Sequence, residues 1–111
     1  MGTKIRYKTK KIIKLANNRY SILTNDLECC YLCFNDGCHE YDLIDIHEIY
    51  GGANRQISME NGFCVPLCRH HHILATNDNS INLILKQLCQ KKYEKTHSRE
   101  DFIHLIGKNY L

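Results

Sequence analysis

Several things are scarce in this 111-residue chain, which carries no tryptophan, one proline and six glycines. No apolar stretch approaches bilayer length, so a helical membrane span is not expected, nor is a membrane partner. Residues 1–20 lack the apolar run and small-residue cleavage site of a signal peptide. There are no internal repeats and no low-complexity tract, which excludes solenoid and linker architectures and leaves one small domain with little core to bury. Acidic residues are also missing from the first part of the chain. Lys4, Arg6, Lys8, Lys10, Lys11, Lys14 and Arg19 all precede the first of them, Asp26, although the net charge is only +3. A basic arm over residues 1–20 is therefore expected on a mildly acidic body over 21–111. Such an arm suits a phosphate backbone, because neutralising it releases counterions. A solvated, frayed terminus has the same composition.

Cysteine is plentiful, with seven residues, and so is histidine, also seven. The count is odd and no leader is evident, so metal-bound or free thiols in a reducing cytoplasm are expected rather than a disulfide framework. The spacing is more specific. Cys30-Tyr-Leu-Cys33 supplies one close pair of soft ligands, and Cys68-Arg-His-His71-His72 a second. Zinc takes four such ligands tetrahedrally, and two close pairs let two tight turns share one ion. Cys30, Cys33, Cys68 and His71 are the expected structural zinc ligands, leaving His72 beside them. In zinc-finger peptides a site of this kind contributes about 10–16 kcal/mol, a large term for a small domain. Cys38-His39 is an alternative pair, Cys29 is too close to Cys30 to keep the spacing, and Cys64 and Cys89 read as core.

The element pattern is coarse but ordered. Tyr41 to Tyr50 reads as a short strand carrying His47, broken by Gly51-Gly52. Asn54 to Gly62 reads as a polar connection with room for one helical turn. Phe63 to Leu67 reads as a second strand, with Pro66 at its edge or end. A helix begins near Arg69 and is interrupted at Asn77-Asp-Asn79. Ser80 to Lys92 carries Ile81, Ile84, Leu85 and Leu88 at helical spacing. Ser98 with Asp101 opens a last helix that Gly107 stops. On this reading His47-Glu48 on the first strand and His72 on the helix converge beside the zinc, where imidazole and carboxylate can hold a divalent ion and deprotonate water.

Two segments carry a family resemblance. His47-Glu-Ile-Tyr-Gly-Gly-Ala-Asn54-Arg55, and then Val65-Pro-Leu-Cys68-Arg-His-His71-His72 after Gly62, resemble the HNH endonuclease motif. More narrowly, the chain is similar to small phage-encoded HNH-like proteins related to a phage recombination-enhancing nuclease. Arg19-Tyr-Ser-Ile-Leu-Thr24, Arg99-Glu-Asp-Phe-Ile103 and Gly107-Lys-Asn-Tyr-Leu111 extend the likeness over nearly the whole chain. The resemblance implies an α+β fold with a ββα-metal (His-Me finger) core, a structural zinc and additional C-terminal helices.

It also implies roles. His47, Asn54 and His72 fall at the His, Asn and last His positions. In one register His47 binds the catalytic metal and Glu48 stands where many members have a histidine base. In another, His47 is the base and Asp45 and His72 bind the metal. Asn54 would brace the loop or approach the metal, with Asn61 a weaker candidate. Many relatives carry a further histidine beyond the pair; here Asn77 or Asp78 would substitute as an oxygen ligand, which suits magnesium or manganese. Arg55 and Arg69 would hold phosphates, with a surface ion pair as the competing role; Tyr7, Tyr20 and Tyr31 read more simply as core or rim than as base-stacking groups. The expected function is a metal-dependent DNA endonuclease or nickase of low sequence preference in the host cytoplasm. The alternatives are a zinc-stabilised DNA- or protein-binding module without catalysis, and a partner domain in phage recombination or packaging.

Overall fold

A computed structural model describes residues 19–33 and 43–111. Lys4, Arg6, Tyr7, Lys8, Lys10, Lys11 and Lys14 of the basic arm and the Cys38-His39 pair lie outside the described residues.

The described residues form a small α+β fold. Strand β1 (Ile44–Glu48) is followed by a 3-10 turn (Gly52–Asn54), helix α1 (Arg55–Asn61), strand β2 (Cys64–Cys68), and helices α2 (Arg69–Asn77), α3 (Asn79–Tyr93) and α4 (Arg99–Ile106). The strands pair antiparallel, with Ile44 opposite Cys68, Ile46 opposite Pro66 and Glu48 opposite Cys64. Both strands are edges of a two-stranded sheet, which explains how Pro66 sits mid-strand: its missing N–H breaks no inner ladder. Its carbonyl accepts from Tyr31 N at 2.8 Å, tying the first cysteine pair to β2. Because side chains alternate along a strand, Asp45 and His47 share one face and Ile44, Ile46 and Glu48 the other.

The polar connection after β1 proved to be a two-turn helix. Its apolar signal is weak because its buried anchor is a serine: Ser58 Oγ donates to Tyr50 O at 2.8 Å and accepts from Tyr50 N at 3.2 Å. Gly62 ends α1 in the left-handed region at φ 71°, and Phe63 N then returns to Ser58 O.

Behind the sheet lies an aromatic core. Tyr50, Phe63 and Phe102 are fully buried and meet edge to face, with Tyr50 5.6 Å from Phe63 and 5.5 Å from Phe102 between ring centres. The Tyr50 hydroxyl donates to Lys86 O at 2.6 Å, so the polar tip is satisfied and β1 is joined to α3.

The stripe expected on α3 holds at Ile81, which packs on the core, and at Leu85, and is corrected elsewhere. Leu85, Cys89 and Gln90 are its buried residues, while Ile84 and Leu88 are exposed. Gln90 is tolerated inside because its amide donates to Glu94 and Asn109 and accepts from Tyr110 N. Cys64 and Cys89 are core residues, as expected. The last helix has the expected capping box at Ser98 and Asp101 and stops at Gly107, φ 94°. Among the described residues no helix is long and apolar enough to cross a membrane.

Candidate metal centre and histidine pair

Cys30, Cys33, Cys68 and His71 are buried together, with one ligand atom from each lying within 4.8 Å of all the others. The Sγ atoms of Cys30, Cys33 and Cys68 lie 3.4, 3.4 and 3.3 Å from His71 Nδ1, and Cys33 Sγ lies 3.7 Å from Cys68 Sγ. A tetrahedral zinc with ordinary bond lengths requires S···N edges of about 3.6 Å and S···S edges of about 3.8 Å. The donor set therefore fits a zinc-sized ion in both chemistry and spacing. Backbone N–H groups support it: Cys33 N approaches Cys30 Sγ and His71 N approaches Cys68 Sγ, each at 3.4 Å. Cys68 is also the N-cap of α2; burial pushes its thiol up, and the His71 N–H opposes that shift. Cys29 is exposed and outside the group.

One residue beyond this group, His72 lies against His47 of β1, the two rings edge to face with centres 5.3 Å apart. His72 Nδ1 is 2.9 Å from Asp45 Oδ2, which leaves Nε2 as the outward nitrogen. Arg69 grips the same carboxylate through Nε at 2.9 Å and a terminal nitrogen at 3.1 Å. Those Arg69 bonds, helped by His72 and opposed by burial, hold the Asp45 carboxyl below its ordinary range. His47 is 9% exposed, and its Nε2 has no hydrogen-bond partner among the described residues. Burial, then the charges of His72 and Lys86, pull its pKa down to about 4, so the imidazole is neutral at pH 7. A neutral imidazole keeps a lone pair for a metal or a proton.

Glu48 is differently placed. Its carboxylate takes a 2.6 Å bond from Arg19, and both side chains are about nine-tenths buried. Strand alternation turns it to the face opposite His47, beside its cross-strand neighbour Cys64. The structure thus brings Asp45, His47 and His72 together and engages Glu48 elsewhere. Asn54 braces the loop, donating to Ile106 O at 2.9 Å. Asn61 bonds only within its own helix end, to Ile57 O. Asp78 caps α3 by accepting from Ser80 N and Ile81 N, a role that occupies the carboxylate considered as a metal ligand. Arg69 is committed to Asp45, the surface ion pair weighed against a phosphate role, while Arg55 is exposed. Tyr20 bonds Glu60 O, and Tyr31 packs on the core.

A cavity of about 320 Å³ opens beside His47, lined also by Asn54, Thr76, Asn82, Lys86 and Tyr110. Lys86 and Tyr110 escaped the sequence reading because neither stands near a motif; only the fold carries α3 and the residues after α4 to β1. No family model, curated protein or solved structure matches the chain.

Proposed function

We propose that this chain is a metal-dependent endonuclease or nickase of the HNH type, hydrolysing DNA phosphodiesters with little sequence preference. The observation that carries the reading is the meeting of His47 from β1 with His72 from the first turn of α2, directly beside a Cys3His group that pins that turn. β1, β2 and α2 then make up the ββα unit the motif implies, with α3 and α4 as C-terminal additions.

Two imidazoles at neighbouring positions on one divalent ion have ring centres roughly 5 Å apart, close to the observed 5.3 Å. Asp45 on His72 Nδ1 is the second-sphere carboxylate that fixes a ligating histidine's tautomer. His47 and His72 would hold magnesium or manganese, which supplies charge stabilisation at the scissile phosphate and leaving oxygen. Low sequence preference follows from the chemistry, since backbone contacts carry no base information. Protein residues have two remaining tasks. Asp45 and Arg69 orient His72. A base must take the water proton: Glu48, the base of the first register, faces away from the pair and is held by Arg19, so the second register, with neutral His47 as base and Asp45 and His72 on the metal, has the better-placed base.

The buried Arg19–Glu48 pair favours a second reading, a zinc-stabilised DNA- or protein-binding module, because an ion-paired carboxylate is a poor base. Supercoiled plasmid separates the two. Zinc-loaded protein with magnesium, manganese or nickel should nick it, and His72→Ala should lose cutting by at least a hundredfold while keeping its fold and zinc. No cutting by folded, zinc-bound native protein would leave the binding module.

A further inference from the structure

We propose that the cavity beside His47 is a phosphate subsite whose cation is Lys86, a residue outside the HNH-like motif. The proposal rests on the nuclease reading for its biological ligand, but not for its geometry. Three observations meet there. First, His47 is nine-tenths buried, lines the cavity and has a ring nitrogen, Nε2, without a partner among the described residues. A buried polar atom left unpaired is costly, so a ligand that supplies a partner is favoured. Second, the two arginines flanking the motif do not serve this cavity: Arg69 is spent on Asp45, and neither it nor Arg55 lines the walls. Lys86 does, and its backbone carbonyl is fixed to the Tyr50 hydroxyl at 2.6 Å. Third, the remaining lining suits an anion of phosphate size. Asn54 and Asn82 each give one amide N–H to a backbone carbonyl and keep a second for an anion, and the one acidic residue on the lining, Glu48, has Oε2 neutralised by Arg19 while Oε1 is buried without a partner. At Gly51 and Gly52 an added Cβ would meet nothing within 4 Å, so this rim is open to a ligand.

Tyr110 also lines the cavity and flanks the lysine. Lys86 Nζ stands 5.2 Å from its ring centre, with Lys108 Nζ at 5.1 Å. Tyr110 is held in turn by its backbone, which donates to the Gln90 side chain at 2.8 Å and accepts from that of Gln87 at 2.9 Å. A lysine so placed acts as a point charge on a non-bridging phosphate oxygen, while His47 supplies the buried contact on the other side.

The test is an NMR titration of zinc-loaded full-length protein, following the His47 ring proton, first with inorganic phosphate and then with a short DNA duplex. Native protein should show a saturable shift with both. Lys86→Gln should weaken phosphate at least fivefold and Lys86→Arg should restore most of it, whereas Lys108→Gln, a cation not on the cavity wall, should change it less than twofold. A response to duplex with none to phosphate would give the subsite to the nucleic-acid backbone alone. The proposal is overturned if neither probe moves His47, or if folded Lys86→Gln binds both like native protein. The nuclease reading fails separately: Lys86-dependent binding without any plasmid nicking would keep the subsite and discard the enzyme. Undiminished nicking by Lys86→Gln would do the reverse.

Discussion

His47 carries the sharpest electrostatic signature of any residue in the pair. In an unfolded chain its imidazole takes a proton near 6.5, while in the fold it stays neutral down to about 4. Between those values the unfolded state binds more protons, so stability rises with pH across that window and is lost as pH falls from 6.5 toward 4. Partial solvent access reduces the effect to on the order of 2 kcal/mol. The difference between native and His47→Asn unfolding curves, taken from pH 4 to 7 without added divalent ion, should show that slope in the native protein alone. Equal slopes would mean that the ring is hydrated. The importance of His47 was legible in the sequence, because it lies at a motif position. The commitments of Glu48 and Arg69 were not, since each depends on a partner distant in the chain, Arg19 for one and Asp45 for the other.

At the scale of elements, polar residues account for most of the departures from the sequence pattern. Ser58 and Gln90 are fully buried and fully bonded, and each sits where a hydrophobic-period reading sees a surface. Hence the pattern marks α1 as a connection and puts Ile84 and Leu88, rather than Cys89 and Gln90, beside Leu85 on the buried face of α3. Elements with chemical punctuation were readable: the Ser98 cap, the Gly107 stop and the break at Asp78 are local signals that packing did not override. Gly62 is the joint between α1 and β2. Its φ of 71° disfavours any side chain, and an added Cβ would also strike the Tyr20 ring. Gly62→Ala should therefore cost about 1–3 kcal/mol. Urea unfolding followed by far-ultraviolet circular dichroism, which needs no tryptophan, should show a lower midpoint with an unchanged slope.

For the whole molecule, the Cys3His group joins the segment before β1 to the β2–α2 junction, so an ion held there would act as a staple across the sheet. Reduced protein should bind one zinc per chain, and His71→Ala or Cys30→Ser should bind none. Cys29→Ser, outside the group, should bind normally. Chelation should unfold the domain or lower its midpoint far more than any single core substitution, as expected where metal-binding free energy is folding free energy. Zinc release assayed colorimetrically against circular dichroism checks both.

His71 and His72 are consecutive residues on the first turn of one helix, and one belongs to the zinc group while the other faces Asp45 and His47. An ion at His71 and a ligand at His72 would therefore be linked through a single peptide unit. Thermodynamic reciprocity then applies: by whatever factor zinc strengthens a ligand's hold at His72, that ligand strengthens the protein's hold on zinc. Zinc affinity becomes a gauge, readable without any turnover, of what docks on the other side of the helix.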